Sequence, residues 1–378
     1  AFDWDKDGDQ DLVIGEEDGR VSLMENTGRM IDGLPEYRPP EYFQQEAEYL
    51  KFGVLSTPFG FDWDDDGDED IVSGNTAGEI GWFENLGGYP PKWDKPRLLE
   101  AGGETIRIMA GPNGSIQGPV EQKWGYTVLN VADWDHDGLP DLVVNSIWGK
   151  VVWYRNIGSR DHPVLEASRP VRISWAGEPA KPVWNWWNPE PGEQVTQWRT
   201  TPIVIDLNRD SLNDLVMLDH EGFLAYYERF HDGDGWSLHP PRRIFVGDPI
   251  AGFNRDHEPV MNGPGPLRLT SGWAGRSGRR KLALMDWDGD GRLDLMANGI
   301  NANFMRNVGL TYFDITFVDQ GPVSADNISD HSACPTSVDW NMNGRPDLLI
   351  GAEDGFFYYF ENPHDPYRRR KPSGVPRN

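Results

Sequence analysis

Asp62-Trp63-Asp64-Asp65-Asp66-Gly67-Asp68-Glu69-Asp70 is one of six copies of an acidic loop spread along the chain. The others are Asp3-Trp4-Asp5-Lys6-Asp7-Gly8-Asp9-Gln10-Asp11, Asp133-Trp134-Asp135-His136-Asp137-Gly138-Leu139-Pro140-Asp141, Asp206-Leu207-Asn208-Arg209-Asp210-Ser211-Leu212-Asn213-Asp214, Asp286-Trp287-Asp288-Gly289-Asp290-Gly291-Arg292-Leu293-Asp294 and Asp339-Trp340-Asn341-Met342-Asn343-Gly344-Arg345-Pro346-Asp347. Side-chain oxygens at positions 1, 3, 5 and 9, a carbonyl at position 7 and a turn glycine at position 6 match the start of a calcium loop. The carbonyl at position 7 belongs to Asp9, Asp68, Leu139, Leu212, Arg292 and Arg345 in turn.

The flanking sequence excludes an EF-hand, which needs a bidentate Glu at position 12 and amphipathic helices on both sides. Here each loop runs straight into a short apolar segment such as Leu12-Val13-Ile14-Gly15, a strand pattern. A turn and a second, aromatic-rich strand follow, as in Glu79-Ile80-Gly81-Trp82-Phe83-Glu84-Asn85. The first aspartates of the loops lie 59, 71, 73, 80 and 53 residues apart, periods that fit a four-stranded propeller blade carrying insertions. Each unit is expected to run strand A, loop, strand B, turn, strand C and a less regular strand D. The prediction is an all-β fold, a β-propeller of four-stranded blades with six repeats visible. The chain opens inside a strand A and stops soon after a strand C, so seven blades, or closure of one blade by both ends, stay open. Residues 1–367 read as a single propeller domain and 368–378 as a basic, solvated tail.

Together the loops and the trailing Trp/Tyr-Phe-Glu-Asn strands resemble FG-GAP or VCBS repeats, found in integrin-type propellers and in many secreted bacterial propellers. The resemblance implies a scaffold shared with adhesion modules, lectins and polysaccharide lyases of the rhamnogalacturonan and ulvan type. It does not choose among those functions.

Composition agrees with one large all-β domain: 378 residues hold 43 Gly, 30 Pro and 45 aromatic residues. The net charge is −26, yet 21 acidic residues occupy the loops' ligand positions, so six divalent ions would bring it to −14. Nucleic acid is not an expected partner, because no basic stripe offsets this acidity. Nor is membrane insertion expected, since no apolar run reaches spanning length. Oxygen-only loops suit the millimolar calcium outside cells, so a secreted or cell-surface location, in a bacterium, is the expectation. Cys334 is the single cysteine and permits no internal disulfide.

A metal that holds the A-to-B turn leaves chemistry to the opposite face, where D-to-A entries and B-to-C turns converge. Candidates on the entries are Trp124, Tyr126, Trp198, Arg199, Arg276 and His331; those on the turns are Asn145, Trp148 and His220. Trp186 and Trp187 lie in a long insertion before repeat four and His257 in another before repeat five. Such residues supply stacking platforms, carboxylate clamps and proton-transfer groups. Each also has a structural reading: tryptophans covering blade ends, asparagines shaping turns, His257 ion-paired at the surface.

Two functions fit these residues. The first is a polysaccharide lyase acting by β-elimination on a uronate-containing glycan, with Arg199 and Asn145 neutralising the uronate, His220 as base and Tyr126 as acid. Trp124, Trp148, Trp186, Trp187, Trp198, Arg276, His257 and His331 would then bind substrate. The second is a non-catalytic glycan-binding or adhesion propeller using the same aromatics. The repeats agree at the loops and differ at the opposite face, which favours a single asymmetric enzyme site.

Overall fold

Each loop closes an antiparallel hairpin in which apolar strands alternate with the turn chemistry read above. A computed structural model describes residues 2–15, 21–43, 49–233, 235–247, 265–270, 278–310, 315–329 and 333–363, so the basic tail lies outside the described residues. Repeat one gives β1 (Leu12–Gly15) and β2 (Val21–Met24). Repeat two gives β3 (Thr57–Phe61), β4 (Asp70–Gly74) and β5 (Ile80–Phe83). Repeat three gives β6 (Val128–Ala132), β7 (Asp141–Asn145) and β8 (Val152–Tyr154). Repeat four gives β9 (Ile203–Ile205), β10 (Asp214–Leu218) and β11 (Leu224–Tyr227). Repeat five gives β12 (Leu282–Met285), β13 (Asp294–Asn298) and β14 (Ala302–Asn307). Repeat six gives β15 (Cys334–Val338), β16 (Asp347–Gly351) and β17 (Phe357–Phe360). The fold is an all-β propeller, with expected D strands present as Arg97–Leu98, Arg169–Pro170 and Ile315–Pro322.

All six loops share one backbone. Position four is left-handed in every copy, from Met342 at φ 51° to Gly289 at 74°, and position six is left-handed from Ser211 at 74° to Gly8 at 99°. Glycine suits position six for that reason. The aspartate at position nine fastens the loop to its blade. Asp70 accepts the backbone N–H of Trp63 at 3.0 Å and that of Asn85, just past β5, at 2.7 Å. Asp141 does the same with Trp134 and Asn156.

The residue at position two then fills the space between blades. Trp63, Trp134, Leu207 and Trp287 are buried in separate apolar clusters, each shared by two neighbouring repeats. A fifth cluster, with Phe52, Ile71, Phe83, Val338 and Leu349, joins repeat six to repeat two. The inner strands β3, β6, β9, β12 and β15 accordingly contact one another in a circuit that β15 closes against β3. Repeat one forms its loop and hairpin but stands outside that circuit. Its Trp4 is 48% exposed where Trp63, Trp134, Leu207 and Trp287 are buried, and β1 and β2 pair with each other and β2 with Glu41–Tyr42.

The last blade is closed not by the first residues of the chain but by a segment that follows repeat one. Lys51 bridges Phe356, and Phe52 N–H donates to the Gly355 carbonyl at 3.0 Å, so residues from before β3 complete the blade of β15, β16 and β17.

Candidate functional site

Strand register fixes two opposite faces. β3 and β4 pair from Phe61↔Asp70, beside the aspartate loop, to Thr57↔Gly74 at the far end, and β6 and β7 run likewise from Ala132↔Asp141 to Val128↔Asn145.

On the loop face the carboxylates of four repeats converge: Asp3, Asp5 and Asp11; Asp62, Asp64 and Asp66; Asp133, Asp135 and Asp141; Asp286, Asp288 and Asp290. In each group a buried carboxylate oxygen has no hydrogen-bond partner, namely Oδ1 of Asp3, Asp64, Asp135 and Asp286. Buried carboxylate oxygens without donors are costly, and a hard cation relieves that cost. Burial, then the charge of Asp66, Glu84 and Asp62, raises the Asp64 carboxyl above its usual range. These four loops therefore fit a divalent metal ion. Loops four and six differ because an asparagine amide stands where charge would gather. Asn208 Nδ2 donates to Asp210 at 2.9 Å and Asn341 Nδ2 to Asp347 at 2.8 Å. Loops three and five are tempered from outside: Arg155 pairs with Asp135 and Asp137, and Arg306 with Asp288 and Asp290.

On the opposite face the chain enters four inner strands through a left-handed residue: Leu55 (φ 53°), Tyr126 (49°), Arg199 (59°) and Arg279 (61°). Large side chains in that conformation are strained, so surrounding packing must hold them. Gly125 permits the turn at Tyr126, since a Cβ there would lie 1.9 Å from the Ile108 carbonyl oxygen. The Arg199 guanidinium lies over the Tyr126 ring and pairs with Glu121 at 3.5 Å. Glu121 also accepts from the Tyr126 hydroxyl at 3.4 Å and from Ser115. Gln117, its amide oriented to satisfy both neighbours, donates to Glu121 and accepts from Arg279 at 2.7 Å. Below them Lys281 is buried, and its ammonium donates to the Arg199 carbonyl at 2.5 Å.

Beside this network lies a run of tryptophans. Trp148 packs on Trp186 at 5.2 Å between ring centroids and on Trp187 at 6.3 Å, and Trp184 stacks on Trp186. The ring nitrogens of Trp148 and Trp187 donate to the carbonyls of Met109 and Trp148. The insertion is thus stapled to the blade end by its aromatics, while Trp124, Trp148, Trp186 and Trp187 each keep a partly exposed face.

The structure joins Arg199 and Tyr126 but separates them from their expected companions. Asn145 is fully buried, and its amide is used by Gln197, Thr200 and the Ser146 N–H. It leaves nothing to neutralise a uronate. His220 stands in the β10–β11 turn beside Glu221, where Arg243 bridges Asp219 and Glu221. Among the described residues it makes no hydrogen bond or ion pair to Arg199, Tyr126 or Asn145. Trp198 is buried completely, supporting Trp184 and Arg199 rather than offering a stacking face. Arg276, His257 and His331 lie outside the described residues. Sequence reasoning missed Glu121, Arg279 and Lys281. The extra residues between repeats two and three were the signal for Glu121, the centre of the network.

No family model matches this chain and no curated protein matches it. Among solved structures it is similar to an Agrocybe aegerita lectin described as recognising non-reducing terminal N-acetylglucosamine, at 15% identity over 94% of this chain and 90% of the lectin, with TM-score 0.38. It is also similar to BBS1N, solved in complex with ARL6DN, at 12% identity over 94% of this chain and 89% of that one, with TM-score 0.34.

Proposed function

We propose that the protein is a secreted, calcium-stabilised propeller that binds a polysaccharide on the face opposite its aspartate loops. The observation that carries this reading is the tryptophan surface of Trp124, Trp148, Trp186 and Trp187. Ring packing anchors all four, and ring-nitrogen hydrogen bonds fix Trp148 and Trp187, yet each keeps a partly exposed face. Rigid aromatic faces beside polar groups are what sugar rings stack upon. Calcium is the metal proposed for the four convergent loops, since their donors are all oxygen and millimolar calcium outside cells would fill them. Elimination chemistry has weaker support: Arg199 is committed to Glu121, and the amide of Asn145 is spent within the fold.

The test is isothermal titration of neutral and uronate polysaccharides against the protein and against Trp186→Ala and Trp148→Ala, with ultraviolet absorbance followed in parallel. Binding without new absorbance, weakened in both variants, supports the proposal. Equal affinity in the parent and both variants overturns it. An unsaturated product made by the parent, and lost in Tyr126→Phe, would restore the lyase reading instead.

A further inference from the structure

The residue at the end of strand C whose N–H binds the position-nine aspartate is asparagine in five repeats, Asn26, Asn85, Asn156, Asn307 and Asn362, and arginine in the fourth. Arg229 keeps the shared backbone contact, donating its N–H to Asp214 at 2.8 Å. Its side chain departs from the pattern. It is 96% buried and lies against two indoles, its guanidinium carbon 4.0 Å from the Trp134 ring centroid and 5.0 Å from that of Trp236. It makes no ion pair among the described residues, and its terminal NH2 has no hydrogen-bond partner.

Arg229 lines a groove of about 590 Å³ between repeats three and four, away from the tryptophan face. The size falls within the range of about 300–1,000 Å³ common for small-ligand clefts. The lining combines four arginines with three tryptophans in a chain of net charge −26, against two aspartates. Arg155 is already held by both of those aspartates, and Arg169 by Glu166. Arg172 gives one hydrogen bond to the Pro191 carbonyl, at 3.3 Å. Arg172 is exposed, so Arg229 is the buried cation of the lining whose donors remain to be used.

A buried guanidinium with unused donors calls for an acceptor, and its planar fork suits a carboxylate. Trp153 and Trp236 supply apolar walls on which the face of a sugar ring can lie. We propose that this groove is a second ligand site, distinct from the tryptophan face, that takes a uronate residue with its carboxylate on Arg229.

The internal repeat supplies the test variant, because Arg229→Asn restores the residue found in the other five copies. Full-length protein carrying 5-fluorotryptophan is titrated, in calcium-containing buffer, with tetragalacturonate, with maltotetraose and with sodium sulfate. Fluorine resonances are assigned through Trp153→Phe, Trp236→Phe and Trp186→Phe. Saturable shifts of the Trp153 and Trp236 signals are expected with tetragalacturonate and not with maltotetraose. Arg229→Asn should weaken this response about tenfold or more, as loss of a charge-assisted contact does. Should that variant fold poorly, Arg172→Ala, at the groove rim, is expected to weaken the same response. Still resonances for Trp153 and Trp236, or equal affinity in the folded variants, overturn the proposal. An equally strong response to sulfate makes the groove a simple anion site and overturns its assignment to a sugar. A shift confined to Trp186 reports the opposite face alone, so the two sites fail separately.

Discussion

Lys51 forms a β-bridge with Phe356, and by that bridge a segment lying between repeats one and two becomes the outer strand of repeat six. Phe357 N–H donates to the Leu50 carbonyl at 3.4 Å, and Phe52 sits edge-on to Phe83 at 5.8 Å, linking the last blade to repeat two. Closure of the circuit therefore hangs on a few residues around Phe52. Phe52→Ala is expected to lower stability by about 3–5 kcal/mol, the cost of truncating a buried aromatic. Removing residues 1–43, which form their own sheets, should change the melting temperature far less. Calorimetry of the two variants checks this, and the reverse ranking would mean that repeat one supports the circuit.

The loops were legible because six copies repeat both ligand chemistry and period. What happens after a loop was not. Trp4 and Trp63 occupy the same position in the sequence motif, yet one is half exposed and the other buried, since only the second meets a neighbouring blade. A repeat count cannot show which copies meet. The opposite face was legible as a region but not as a constellation. Arg199 and Tyr126 do come together, because each begins an inner strand. Glu121 arrives from an insertion with no counterpart in the other repeats, and Asn145 is drawn inward by the Thr200 carbonyl at 2.9 Å. Those pairings depend on neighbouring blades far apart in sequence.

Lys281 carries a pH signature. Complete burial pushes its ammonium down to about 7 from 10.5, and Arg199 and Arg279 press in the same direction. Cys334, the other titratable neighbour, is itself pushed up to about 12 by burial and stays a thiol over this range. Between pH 7 and 10 the unfolded chain holds a proton that the folded one has released, so this lysine makes stability rise with pH across that window. Below pH 7 both states are protonated and the penalty is constant. The expected result is that the difference in unfolding free energy, parent minus Lys281→Met, grows as pH rises from 7 to 10. Denaturant titrations at several pH values measure it. Parallel curves would show that the lysine titrates normally.

The metal loops should not behave alike. Four of them, in repeats one, two, three and five, gather carboxylates around a buried oxygen without a donor. In loops four and six an amide donates into the carboxylate set, and loop six offers only Asp339 and Asp347 as charged ligands. Affinity of such sites follows ligand charge. Loops three and five carry a guanidinium on two of their aspartates, whereas loop two has Glu84 near Asp64, which adds negative charge instead. After equilibration at millimolar free calcium, elemental analysis is expected to find about four ions per chain, not six. As free calcium is lowered, the ions of loops three and five should leave before those of loops one and two. Arg155→Gln should delay the loss from loop three. Asp64→Ala, Asp135→Ala and Asp286→Ala should each remove one ion, while Asp210→Ala removes none. Full chelation should then lower the melting temperature by mass action, because binding to the folded state alone contributes about 2.7 kcal/mol per site at one hundred times its Kd. Six equivalent ions, or a melting curve indifferent to chelator, would refute this ranking.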